Sequence, residues 1–159
     1  VTNAMFMNCD HSMLSYRFYR QPSTLLSLFK ERLKTLIILN LIPALTMSLI
    51  ISILLAVSGG ASFITYIVVS FSIVAMSIFF SVHNLILYYL LQPYNIGMEM
   101  KSTTYTIVSI ATYWLCYYIS DLKVSSFTFG IIMIVFAIVY SLISLFLVYR
   151  YAPKTFKLR

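Results

Sequence analysis

From Thr35 to Met98 the chain runs 64 residues without an aspartate, glutamate, lysine or arginine. No soluble surface can be built from such a stretch, because a folded domain must present charge and polarity to water along every outward-facing element. Two further uncharged runs follow, 19 residues from Ser102 to Ser120 and 26 from Val124 to Tyr149. A helix rises about 1.5 Å per residue and the hydrocarbon core of a bilayer is about 30 Å thick, so about 20 residues cross it once. The first run therefore holds two crossings and a turn, and the cluster Ser58-Gly59-Gly60-Ala61-Ser62 marks the turn. Four spans are expected: Leu36–Val57, Phe63–Leu91, Thr103–Ile119 and Phe127–Tyr149. The expected fold is all-α, a polytopic membrane helical bundle of four transmembrane helices preceded by a basic amphipathic interfacial helix. Residues 1–34 form the cytoplasmic N-terminal segment, 35–149 the four-span region and 150–159 a basic cytoplasmic tail.

Composition agrees. Of 159 residues, 61% are apolar and 9% charged, against roughly 25% charged in a typical globular chain. A membrane β-barrel would alternate apolar and polar residues, whereas Leu49–Leu55 and Ile131–Phe136 are almost uninterruptedly apolar. Nor is the first long run a signal peptide, since it starts 35 residues in, after a basic segment.

Basic residues near span ends stay on the cytoplasmic side. Arg17, Arg20, Lys30, Arg32 and Lys34 precede the first span, Lys101 separates the second from the third, and Arg150, Lys154, Lys157 and Arg159 follow the fourth. With both termini cytoplasmic, ten basic residues lie inside and Lys123 alone outside. The net charge of +7 is then a consequence of membrane placement, and a nucleic-acid partner is not needed to explain it. Tyrosine and tryptophan favour the headgroup level. In this arrangement Tyr88, Tyr89, Tyr94, Tyr105, Tyr149 and Tyr151 collect near the inner face, and Phe63, Tyr66, Trp114, Tyr117 and Tyr118 near the outer one.

Before the first span, Ser23 is a plausible cap for a helix with Leu25, Leu26, Leu28, Phe29, Leu33 and Leu36 on a broad apolar side and Lys30, Arg32 and Lys34 on the other. Such a helix would lie in the cytoplasmic interface and then bend into span one; the same charges also serve as the anchor of any first span. Within the spans, His83 and Asn84 are the one strongly polar pair, and an ionisable residue in a span is a functional candidate. The plainer role is a neutral histidine hydrogen-bonded to a neighbouring helix. Pro43, three residues after Asn40, can kink span one, as a gating hinge or simply as a feature of packing. Ser77 and Ser81 offer no convincing packing motif.

Catalytic chemistry finds little support. The glycines Gly59, Gly60, Gly97 and Gly130 form neither a P-loop nor a dinucleotide-binding turn, so this chain does not hydrolyse ATP by that route. Cys9 and Cys116 fall on opposite sides of the membrane and cannot pair, and Cys9-Asp10-His11 lacks the further ligands a metal needs. No catalytic, cofactor or metal residue is expected, and the chain is not read as an enzyme.

The string Phe18-Tyr19-Arg20-Gln21-Pro22 leading into Leu28-Phe29-Lys30-Glu31-Arg32-Leu33-Lys34, with Phe80-Ser81-Val82-His83 and Tyr88-Tyr89-Leu90-Leu91-Gln92-Pro93-Tyr94-Asn95, resembles the later part of a bacterial ABC exporter permease of the ABC-2-like kind. The resemblance covers about a quarter of the chain and includes no catalytic signature. It implies a multi-pass protein of the cell membrane, assembled from permease halves as a homo- or hetero-oligomer and powered by a separate ABC ATPase subunit, the one place where ATP enters. It also implies a coupling loop between spans two and three, with Gln92, Pro93, Tyr94, Glu99 and Lys101 as candidates. Permeases of this kind carry six spans per half. Four spans, with Val1 in place of a starting methionine, lead to the expectation of a fragment or a shortened half. The competing class is a membrane scaffold or sensor that binds a partner by helix packing, favoured by how few polar groups lie inside the spans.

Overall fold

The computed structural model describes residues 21–60, 62–91, 103–120 and 125–155. These residues form four helices: α1 (Pro22–Val57), α2 (Phe63–Leu91), α3 (Thr103–Ser120) and α4 (Ser126–Thr155). Among the described residues there is no strand. Three helices, α1, α2 and α4, are long and apolar enough to cross a membrane. This is the build of a multi-pass membrane protein. The 18 residues of α3 fall short of the same apolarity, because Thr103, Thr104, Tyr105, Thr106, Thr112, Tyr113, Trp114, Tyr117 and Tyr118 dilute its aliphatic content.

The start of α1 differs from the sequence expectation in three ways. Helix and span one are a single 36-residue helix, without a separate interfacial helix bending into the membrane. Ser23 lies inside the first turn instead of capping it: the Leu25 amide donates to the Gln21 carbonyl at 3.1 Å, and Pro22 takes the first helical position. Proline suits that position because its missing N–H would have had no intrahelical acceptor. Arg32 lies on the buried face with Leu25, Phe29 and Leu36, not on the polar side with Lys30 and Lys34, which are exposed. Position 32 is seven residues from Leu25, two helical turns, and so shares its face.

The turn after α1 falls where the sequence puts it. Gly59 and Gly60 have φ of 117° and 77°, values that L side chains rarely adopt. The Gly60 amide reaches back to the Leu55 carbonyl at 3.1 Å, which closes the helix with a C-terminal glycine cap. On the far side the Thr65 amide donates to the Ser62 carbonyl at 2.9 Å, and the Ser62 and Thr65 hydroxyls bond at 2.8 Å. A Gly60→Ala replacement meets no neighbour within 4 Å, so its whole cost is backbone strain, about 1–2 kcal/mol. Unfolding in mixed micelles should show that loss, whereas Ser58→Ala should be near neutral; an unchanged midpoint for Gly60→Ala would contradict the strained turn.

The chain divides into two compact units. The first comprises, of the described residues, 21–31, 83–91, 103–120 and 144–155. Its buried side chains are Leu25 and Phe29 of α1, Leu85, Ile86, Tyr88 and Tyr89 of α2, and Ser144, Val148 and Ala152 of α4. Phe29 meets Tyr89 edge to face at 5.4 Å between ring centroids. The Thr155 hydroxyl lies between two carbonyls, Tyr151 of its own helix at 3.2 Å and Tyr89 of α2 at 3.3 Å, and shares its one proton between them. The beginning of α1 and the ends of α2 and α4 therefore meet within this unit.

The second unit comprises 32–60, 62–82 and 125–143. Its core is Ala75, Phe79 and Ala137, with Phe80, Ile134 and Tyr140 packed against it. Gly130 lies against Val68 and Ser72, while the Phe79 ring lies 5.2 Å from Phe136 and 4.9 Å from Tyr140. Contact positions rise together along both helices, so α2 and α4 run parallel. α1 and α2 form an antiparallel hairpin, with Asn40 opposite Ser77 and Ser81. Along α2 the buried positions Ser72, Ala75, Phe79, Val82, Ile86 and Tyr89 alternate spacings of three and four. On α4, Gly130, Ala137 and Ser144 recur every seven residues. These are the heptad spacings by which helices pack along a shared seam.

Candidate functional site

Hydrocarbon offers no hydrogen bonds, so a polar side chain within a span must find its partner in the protein. In the second unit Asn40 does this from α1. Its Nδ2 donates to Ser81 Oγ at 2.8 Å, and its backbone carbonyl accepts from Ser77 Oγ at 3.2 Å. Ser81 Oγ in turn donates to the Ser77 carbonyl at 2.8 Å. Ser77 and Ser81, one turn apart, are thus a helix-packing motif after all, corrected by the presence of Asn40 opposite them. Serines are small enough for close approach, and each hydroxyl also bonds across or along the helix.

The polar residues singled out from the sequence separate. His83, in the first unit, reaches across from α2 to α3, its Nε2 3.1 Å from Thr112 Oγ1. Thr112 Oγ1 donates its own proton to the Val108 carbonyl at 2.9 Å, so the proton between the two side chains belongs to the imidazole. Asn84 is half-buried one residue later, about 100° around the helix, and therefore faces elsewhere. The two are neighbours in sequence without forming one site. A double-mutant cycle with His83→Phe and Thr112→Val should give a coupling of about 0.6–1.7 kcal/mol, the range of interhelical hydrogen bonds in membranes. Strict additivity would contradict the bond. The coupling-loop candidates Gln92, Pro93, Tyr94, Glu99 and Lys101 lie outside the described residues, as does Cys9-Asp10-His11.

Between α2 and α4 in the second unit lies a groove of about 440 Å³. Ala75 and Ala137 give it depth. Phe71, Val74 and Ile78 form one wall, and Ile134, Ile138, Ser141 and Leu142 the other. Its lone hydroxyl, Ser141 Oγ, is spent on the Ala137 carbonyl of its own helix at 2.7 Å. The volume is within the usual range for small-molecule sites, but such sites carry a few orienting polar groups, and this groove offers an occupant only hydrocarbon contact. Sequence reading missed it because alanines on two uniformly apolar helices give no sign of facing each other. Among the described residues, no three metal-ligating side chains gather in one place.

Compared with known protein families, with curated proteins and with solved structures, the chain has no match.

Proposed function

We propose that the chain is a membrane subunit of an exporter of the ABC-2-like kind, driven by a separate ABC ATPase, and that its cargo carries hydrocarbon. The observation that carries the cargo class is the groove between α2 and α4: a hydrocarbon wall without a free donor or acceptor suits an acyl or otherwise apolar group and gives an ion or sugar nothing to hold. The exporter assignment rests on the sequence resemblance alone.

In this reading the chain crosses the cell membrane four times, with both ends cytoplasmic. The parallel course of α2 and α4 supports it, since two parallel crossing helices need a return passage between them. Of the described residues between Leu91 and Ser126, α3 is the one helix, about 27 Å long at its 18 residues. The exposed Lys30, Arg150 and Lys154 lie in the unit where the start of α1 meets the ends of α2 and α4, as the inner face of such a protein requires. Coupling to the ATPase runs through Gln92, Pro93, Tyr94, Glu99 and Lys101, and nucleotide-driven closure of the ATPases shifts the spans between inward and outward access. Permease halves pair as a homo- or hetero-oligomer.

The scaffold reading draws on a different observation. α3 has no buried side chain among its described residues, and large apolar groups such as Ile107, Ile110 and Leu115 face outward from it. Such a face suits a partner helix as well as it suits lipid. Purification from membranes in native-lipid discs separates the two. The exporter reading predicts an ATP-binding subunit that co-purifies and is lost with Glu99→Ala and Lys101→Ala, while membrane insertion persists. Isolation of a stable assembly without any ATPase would contradict it.

A further inference from the structure

We propose that residues 44–57 of α1 form a rigid arm that swings about Pro43. The inference stands whether or not the chain serves an exporter, because it rests on the backbone and packing of α1 alone. Pro43 sits inside the helix and supplies no N–H, so the Leu39 carbonyl loses its intrahelical donor and the helix is weakened at that turn. One turn before the break, α1 is bolted to α2: Asn40 bonds Ser81 through its side chain and Ser77 through its carbonyl. Arg32 and Leu36 are buried on the same stretch. Beyond the break the character of the packing changes. Ala44 and Ser48 are the buried residues there, and both are small, whereas Leu45, Met47, Leu49, Ile50, Ile53, Leu54 and Val57 are exposed. A segment with so little buried contact opens at low cost.

The hydroxyls of the arm point to the same conclusion. Thr46 Oγ1 bonds the Pro43 carbonyl at 2.9 Å, Ser52 Oγ the Ser48 carbonyl at 2.8 Å, and Ser58 Oγ the Leu54 carbonyl at 2.7 Å. Each returns to its own helix. They hold the arm together as a helix of about 21 Å without tying it to α2, in contrast to Asn40. At the far end Gly59 and Gly60 supply a second backbone pivot, and open space surrounds both: a Cβ at either position would meet nothing within 4 Å. A helical segment bounded by a proline and two glycines, with only the small Ala44 and Ser48 buried beyond its first pivot, moves as one body.

The full chain in lipid nanodiscs, with Cys9 and Cys116 replaced by serine, tests this by pulsed electron–electron distance measurement. Spin labels at Leu54→Cys and Ile132→Cys report on the arm, and labels at Ile38→Cys and Val139→Cys report on α1 before the pivot. The arm pair should give a broad or two-peaked distribution and the reference pair a narrow one. Pro43→Ala, which restores the helical hydrogen bond and favours folding, should narrow the arm distribution about two-fold. Asn40→Ala with Ser77→Ala removes the bolt and should broaden the reference pair as well. Equal narrow widths for both pairs would overturn the proposal. So would an arm distribution that stays broad in the Pro43→Ala chain, because the pivot would then lie elsewhere.

Discussion

Replacing Gly130 with leucine is expected to destabilise the chain by about 1–3 kcal/mol, the usual cost of forcing extra volume into a close-packed contact. A Cβ at Gly130 would already collide with the Val68 side chain and come within 2.5 Å of Ser72 Oγ. Neither can step aside easily. Val68 is β-branched and stiff, and Ser72 Oγ is held by its bond to the Val68 carbonyl at 2.6 Å. Against this, glycine in a helix interior is worse than alanine by about 1 kcal/mol, so helix propensity alone predicts a gain for Gly130→Ala. The collision should outweigh it, because both helices would have to separate along the seam that Ala75, Phe79 and Ala137 fill. Mixed-micelle unfolding decides the sign: Gly130→Leu should unfold well before the parent and Gly130→Ala slightly before it. A stabilised Gly130→Ala would show that α2 and α4 do not approach closely here.

Phe29→Ala is expected to cost about 3 kcal/mol, the lower end of the range for a buried aromatic truncated to alanine. The loss is chiefly of packing. Phe29 is fully buried and stands edge to face with Tyr89, itself fully buried. Removing the ring leaves a cavity beside the last turns of α2, near the contact of Thr155 with the Tyr89 carbonyl. Phe29→Leu should recover about half the loss by refilling volume without the aromatic geometry. Thermal unfolding in detergent reads both. An effect of Phe29→Ala no larger than that of truncating the exposed Leu39 would contradict the first unit's packing.

The existence of the long helices and the turn at Ser58-Gly59-Gly60 were legible in the uncharged runs, but their outer ends were not. α1 begins at Pro22, before Lys30, Arg32 and Lys34, and α4 continues past Tyr149 through Arg150 to Thr155, because charge limits what enters hydrocarbon and not where a helix ends. Nor was it legible which faces turn inward. In water an apolar stripe marks the buried side, but in lipid both sides of a span are apolar, and the information moves to small residues. Ser72, Ala75, Gly130 and Ala137 carry the contact between α2 and α4 in the second unit, at three- and seven-residue spacings. Asn40 and the Ser77/Ser81 pair are each visible in the sequence, but a single sequence does not say that they face each other. Arg32 is buried despite its charge because it stands two turns from Leu25, on the same face. The groove depends on two alanines from different helices, Ala75 and Ala137, and so has no local sequence signal.

The proposed four-span topology requires α3 to carry the chain back across the membrane between two parallel helices. Single cysteines at Ser27, Ser58, Ser125 and Lys154, introduced into a chain lacking Cys9 and Cys116, test it by labelling intact cells with a membrane-impermeant maleimide. Four crossings predict that positions 58 and 125 label from outside, and that 27 and 154 label only after the membrane is opened. If position 125 is protected like 27, or if 154 labels from outside, α3 does not cross and the four-span topology fails.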